Sequence, residues 1–146
     1  MPEELGVLIK QTQAVLHQRM DEALRPLGLS VPQYVCLQAL RDLPGITGSE
    51  LARRAFVSRQ SMNVLLQGLQ ARGLVKRSAE PGPRRERTTT LTPASAELVD
   101  RARVAVAGVA EEMAAPFDSN GLTAFRAGLV AARDALAAGD VARRLG

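Results

Sequence analysis

Five polar side chains, Arg59, Gln60, Ser61, Asn63 and Gln67, fall within nine residues of one another. At helical spacing they lie apart from Met62, Leu65, Leu66 and Leu69, so a helix here buries one face and offers hydrogen-bonding groups on the other. The chemistry this suits is the reading of base edges. Asn and Gln amides can pair two-pronged with adenine, and an Arg guanidinium with guanine. Ser58 and Ser61, at the helix start, suit phosphate oxygens, because free N–H groups and the helix dipole favour anions there. Thr47 and Ser49, at the start of the preceding short helix, can clamp a second phosphate. Arg84, Arg85 and Arg87 surround a Gly/Pro tip, and an arginine on such a tip can enter a narrow minor groove.

Charge is distributed to match. Leu51–Thr92 holds nine Lys/Arg and two Glu, a net of +7, against ten Lys/Arg and thirteen Asp/Glu elsewhere, a net of −3. The overall +4 is thus a local basic patch on a mildly acidic chain, the electrostatic footprint of a polyanion partner. At 146 residues and 46% apolar, the chain is expected to form one globular domain. Scarce aromatics and abundant Ala and Leu predict a mostly helical protein. The N-terminus lacks the pattern of a signal peptide, and no apolar run approaches the ~18 residues of a membrane span. A soluble, cytoplasmic protein without membrane contact is expected. One His and one Cys leave few candidates for acid–base, nucleophilic or metal chemistry. With no glycine-rich phosphate loop or nucleophile elbow either, the expectation is a non-enzyme without cofactors or metal.

The positioning elements follow from local signals. Leu5, Leu8, Val15/Leu16, Met20 and Leu24 predict a helix over roughly 3–25. Ser30 caps a second helix with Pro32 in its first turn, ending near Leu43-Pro44-Gly45. Thr47 and Glu50 fit a capping box for a two-turn helix through Ala55. Ser58 opens the helix from Arg59 to about Ala71, and Gly73 supplies a left-handed stop. Leu74–Arg77 and Arg87–Leu91 read as strands joined by the turn-rich stretch Ser78–Pro83. A long helix runs from Pro93 to about Ala115, and a last one spans about 121–138.

Three blocks carry a resemblance: Gly45–Ala52, Val57–Asn63 and Leu69–Arg77, with the wing-closing run Arg87–Ala94. On these the chain resembles the multiple antibiotic resistance regulator (MarR) family of winged helix-turn-helix proteins. The fold implied is mainly α with a small β-hairpin wing. Residues 30–92 form the winged helix-turn-helix, and 1–29 and 93–146 supply dimerisation helices. The family's wing usually carries an aspartate shortly before its arginines; here Gly82 and Pro83 stand there.

The resemblance implies a homodimer that binds a near-palindromic operator in double-stranded DNA as a transcriptional regulator, usually a repressor. Two copies would set their reading helices about one DNA turn, ~34 Å, apart. It also implies a small phenolic or aromatic effector, for which His17, Tyr34 and Arg103 are candidate lining residues. Some relatives sense hydroperoxides through a first-helix cysteine. Cys36 lies instead in the second helix and reads as a small buried hydrophobe. Two alternatives stay open: an oxidant-sensing regulator of the same fold using Cys36, and a winged-helix module that contacts protein.

Overall fold

The computed structural model describes residues 1–81 and 87–146. Helix α1 (Pro2–Leu24) runs into a 3-10 turn (Arg25–Leu27). Then come α2 (Val31–Asp42), α3 (Gly48–Ala55), α4 (Arg59–Ala71), strands β1 (Val75–Pro81) and β2 (Arg87–Leu91), α5 (Pro93–Ala114) and α6 (Ser119–Leu145). Two compact units divide the chain, Met1–Val109 and Ala110–Gly146, with the boundary inside α5.

The core of the first unit lies where α2, α3 and α4 converge with the base of the hairpin. Leu24, Leu37, Leu51, Met62, Leu66, Leu69 and Val99 are almost wholly buried in it. On α4 the buried residues are Met62, Leu66 and Leu69, with Leu65 half-buried, which matches the apolar face expected from the sequence.

Caps fix the helix starts. Ser30 and Gln33 form a reciprocal capping box, in which each side chain bonds the other's backbone N–H. The box expected at Thr47 forms only in its first half, with Thr47 Oγ1 accepting from the Glu50 N–H at 3.2 Å. Gly73 is left-handed as expected, at φ 73°. Its N–H bonds the Gln70 carbonyl while the Leu74 N–H reaches the Leu69 carbonyl, a Schellman stop that turns the chain into β1.

β1 and β2 pair antiparallel, with Val75 opposite Leu91, Arg77 opposite Thr89 and Pro81 opposite Arg87. Between the last two pairs β1 carries three residues and β2 one, so β1 bulges. Ser78–Pro81, turn-like by composition, therefore belongs to the strand.

In the second unit Asp118 caps α6 by accepting the Gly121 N–H at 2.7 Å, and the Phe117 and Phe125 rings stack at 5.2 Å. α6 starts two residues before the expected 121 and runs seven past the expected 138. It passes through Gly139, a residue that disfavours helix interiors. Asp140, paired with Arg143 and Arg144, supports the extra turns.

Candidate nucleic-acid interface

The first turns of α4 set the geometry of the site. Ser58 is the N-cap: its Oγ accepts the Ser61 N–H at 3.0 Å and donates to Ser61 Oγ at 2.9 Å. Its hydroxyl is thereby committed within the helix start, and Ser61 keeps the hydroxyl proton that can be given outward. Gln60, Ser61, Asn63 and Gln67 are all exposed, as is Arg59. The helix thus presents the expected polar row, opposite the buried Met62–Leu66–Leu69 face. Thr47 caps α3, with Ser49 half-buried as the helix's second residue.

The hairpin lies beside this row. Arg87 is exposed, and its Nε donates to the Ser78 carbonyl at 2.7 Å. Thr88 N–H bonds Ser78 Oγ at 3.1 Å in the same bulge. Arg87 is therefore anchored at the hairpin's strands rather than carried on its tip. Arg84 and Arg85, with Gly82 and Pro83, lie outside the described residues.

One residue of the site does not stand out in the sequence. Arg77, on β1, reaches α4 and donates from Nη2 to Asn63 Oδ1 at 3.4 Å. Burial, and then the charge of Arg87, hold its guanidinium below the ordinary arginine value. The available signal is strand alternation: Arg77 shares the face of Val75, which is buried. Arg53, Arg54 and Lys76, all exposed, add to the positive field around α3 and β1.

The effector candidates divide. Tyr34 is buried on α2, and burial pushes its phenol up while a hydrogen bond with Arg103 works against that. Arg103 also donates to both carboxylate oxygens of Asp42, at 3.0 and 3.2 Å, which raises its own pKa. Tyr34, Arg103 and Asp42 therefore form one network tying α5 to α2. His17 is exposed on α1. An open groove of about 470 Å³ is lined by Ala23, Pro26, Leu27, Asp100, Arg101, Val104 and Ala105. None of the three candidates lines it, and Arg101 is the cation at its wall. Cys36 has no exposed surface, and burial pushes its thiol up to about 12. A thiol so placed is protonated and shielded, the opposite of a reactive thiolate.

Among the described residues no cluster of His, Cys, Asp or Glu could hold a metal, and no helix is long and apolar enough to cross a membrane.

Known proteins resemble this chain in both sequence and fold. The sequence profile of the MarR family matches residues 27–86. The HTH-type transcriptional repressor Rv2887 of Mycobacterium tuberculosis is 41% identical over 102 residues, which is 70% of this chain and 73% of that protein. A crystal structure of the M. tuberculosis MarR family protein Rv2887 with p-aminosalicylic acid superposes at TM-score 0.71 and 35% identity, covering 86% of this chain and 95% of that one. Its complex with DNA superposes at TM-score 0.68 and 34% identity, over 86% and 93%. Sequence identity and fold thus agree, and the chain belongs to the MarR family.

Proposed function

We propose that the protein is a homodimeric, sequence-specific transcriptional repressor that leaves its operator when a small aromatic acid binds. The observation that carries the reading is α4. Its buried face locks it to the core, while Arg59, Gln60, Ser61, Asn63 and Gln67 stand exposed beside the wing. Such a helix can lie in a major groove with its first turns against base edges. Thr47 and Ser49 serve phosphates at α3, and Arg84, Arg85 and Arg87 anchor the wing. The structure of Rv2887 with DNA supports the target class, and that of the same protein with p-aminosalicylic acid supports the effector class.

Dimerisation rests on the terminal helices. α6 has 27 residues and buries none of them within its own chain, and α1 buries only Leu24. A second copy that covers Leu5, Leu8, Leu122, Phe125 and Leu129 would remove that apolar surface from water. It would also pair two reading helices on a near-palindromic site.

The test is titration of duplex DNA from the protein's own promoter region across a salt series. Affinity should fall steeply with salt as phosphate contacts release counterions, and a salicylate should release the DNA. Failure to bind any duplex, or salt-independent binding, would sink the reading.

A further inference from the structure

Within the polar row on α4, the orientation of Asn63 is set from outside the helix. Arg77, 14 residues away on β1, donates from Nη2 to Asn63 Oδ1. A guanidinium has five donors and no acceptor. An amide facing it must turn its oxygen toward β1 and its NH₂ away, because the opposite rotamer would set donor against donor. The polarity of Asn63 is thereby dictated by chemistry, not only by placement.

Arg77 holds an uncomfortable position. Its Nε is buried and has no hydrogen-bond partner among the described residues. Among the described residues no carboxylate pairs with it, and the neighbouring charge is the like charge of Arg87. Burying part of a cation costs free energy, and the like charge of Arg87 adds to that cost. What the guanidinium does supply is a donor-only wall beside Asn63.

Resting on the DNA-reading function above, we propose that Arg77 is a positioning residue that fixes the polarity of the Asn63 amide. Asn63 then meets the major groove with its amino group leading and reads an acceptor: a purine N7, guanine O6 or thymine O4. Two-pronged pairing with adenine would have to share Oδ1 between Arg77 and the adenine amino group, and is the weaker mode.

The experiment selects bound sequences from random duplex DNA with the wild type and with Arg77→Lys, Arg77→Gln, Asn63→Ala and Asn63→Asp, alongside salt titrations and melting curves. Asn63→Ala identifies the base pair that Asn63 reads. Arg77→Lys keeps that preference, because an ammonium is also donor-only. Arg77→Gln, whose amide can offer either end, relaxes it about tenfold at that pair alone. It leaves the salt slope unchanged and adds nothing in the Asn63→Ala background. Asn63→Asp keeps the pairing with Arg77 but has no donor, so it loses the same preference.

Three results would overturn the proposal. Arg77→Gln could weaken all sequences alike with a salt slope lower by about one, which would make Arg77 a phosphate contact. It could lower the melting temperature and leave every preference intact, which would make Arg77 structural. Asn63→Asp could keep the preference, which would mean that the amino group is not the reading end. If the wild type binds no duplex, the DNA reading itself fails, and that outcome is separately visible.

Discussion

Helices α4 and α6 solve opposite problems. α4, with 13 residues, buries Met62, Leu66 and Leu69 in a core made by neighbouring elements, and its caps and stop are complete. α6 is twice as long, is also capped, and buries nothing in its own chain. One is held by packing within the chain and presents polar groups. The other is a helix by local preference and presents Phe125, Leu129 and Leu136 to solvent. The difference separates a region that folds to display polar groups from one whose apolar residues its own chain leaves unburied. Most helices in proteins owe their stability to tertiary packing, so α6 should depend on association in a way that α4 does not.

Substituting leucines in each helix tests that contrast. Leu66, only 1% exposed, is the stronger case: Leu66→Ala should cost about 2–5 kcal/mol through lost burial and an unfilled cavity. Urea unfolding at fixed protein concentration measures it, and a cost under about 1 kcal/mol would mean the α4 core is looser than its burial implies. The second step is a charge on the other helix. Leu129→Glu with Leu136→Glu should convert dimer to monomer in sedimentation. It should also weaken operator binding on the order of 100-fold, since each half-site must then be found independently. A dimer that survives both charges would move the interface off α6.

The contrast was legible in the sequence to different depths. α2, α3 and α4 were legible because their signals are local: Ser30, Thr47 and Ser58 as caps, Gly73 as a stop, and a helical period in between. The extent of β1 was not, because Ser78–Pro81 is strand only by pairing across a bulge. The end of α6 was not, because the helix continues through Gly139, where Asp140 pairs with Arg143 and Arg144. The exposed row on α4 follows from periodicity alone. Its partner Arg77 does not, since the contact with Asn63 needs the hairpin folded back on the helix. The Tyr34–Arg103–Asp42 network was likewise hidden, joining residues 61 apart in sequence.

Cys36 sharpens the comparison inside the first unit. Its thiol is raised by burial from an ordinary 9 to about 12, so the folded state holds the proton more tightly than the unfolded chain. The resulting stability is fully present below about pH 9 and is lost as pH rises toward about 12. Denaturant midpoints for the wild type should therefore fall over that window, and Cys36→Ala should fall less. Hydroperoxide at neutral pH should leave DNA binding unchanged. Release of DNA by hydroperoxide from the wild type, but not from Cys36→Ser, would overturn the buried assignment.

The smallest expected effect concerns the joint that aims α4. Phe56 closes α3 at φ 57°, ψ 41°, the left-handed region, and the residue is 95% exposed. Bulky residues avoid this conformation because Cβ crowds the following carbonyl, at roughly 1–2 kcal/mol. Glycine removes that strain but gives back about 0.5–1 kcal/mol of backbone entropy. With no burial to lose, Phe56→Gly should raise stability by up to about 1 kcal/mol, or ~2–4 °C in melting temperature for a chain of this size. The corresponding joint before α6, capped by Asp118 in extended backbone, carries no such strain and should gain nothing from Asp118→Gly. A fall in melting temperature for Phe56→Gly would show that the ring packs against something its exposure in one chain does not reveal. A gain would show that the turn between α3 and α4 keeps strain which folding alone does not require.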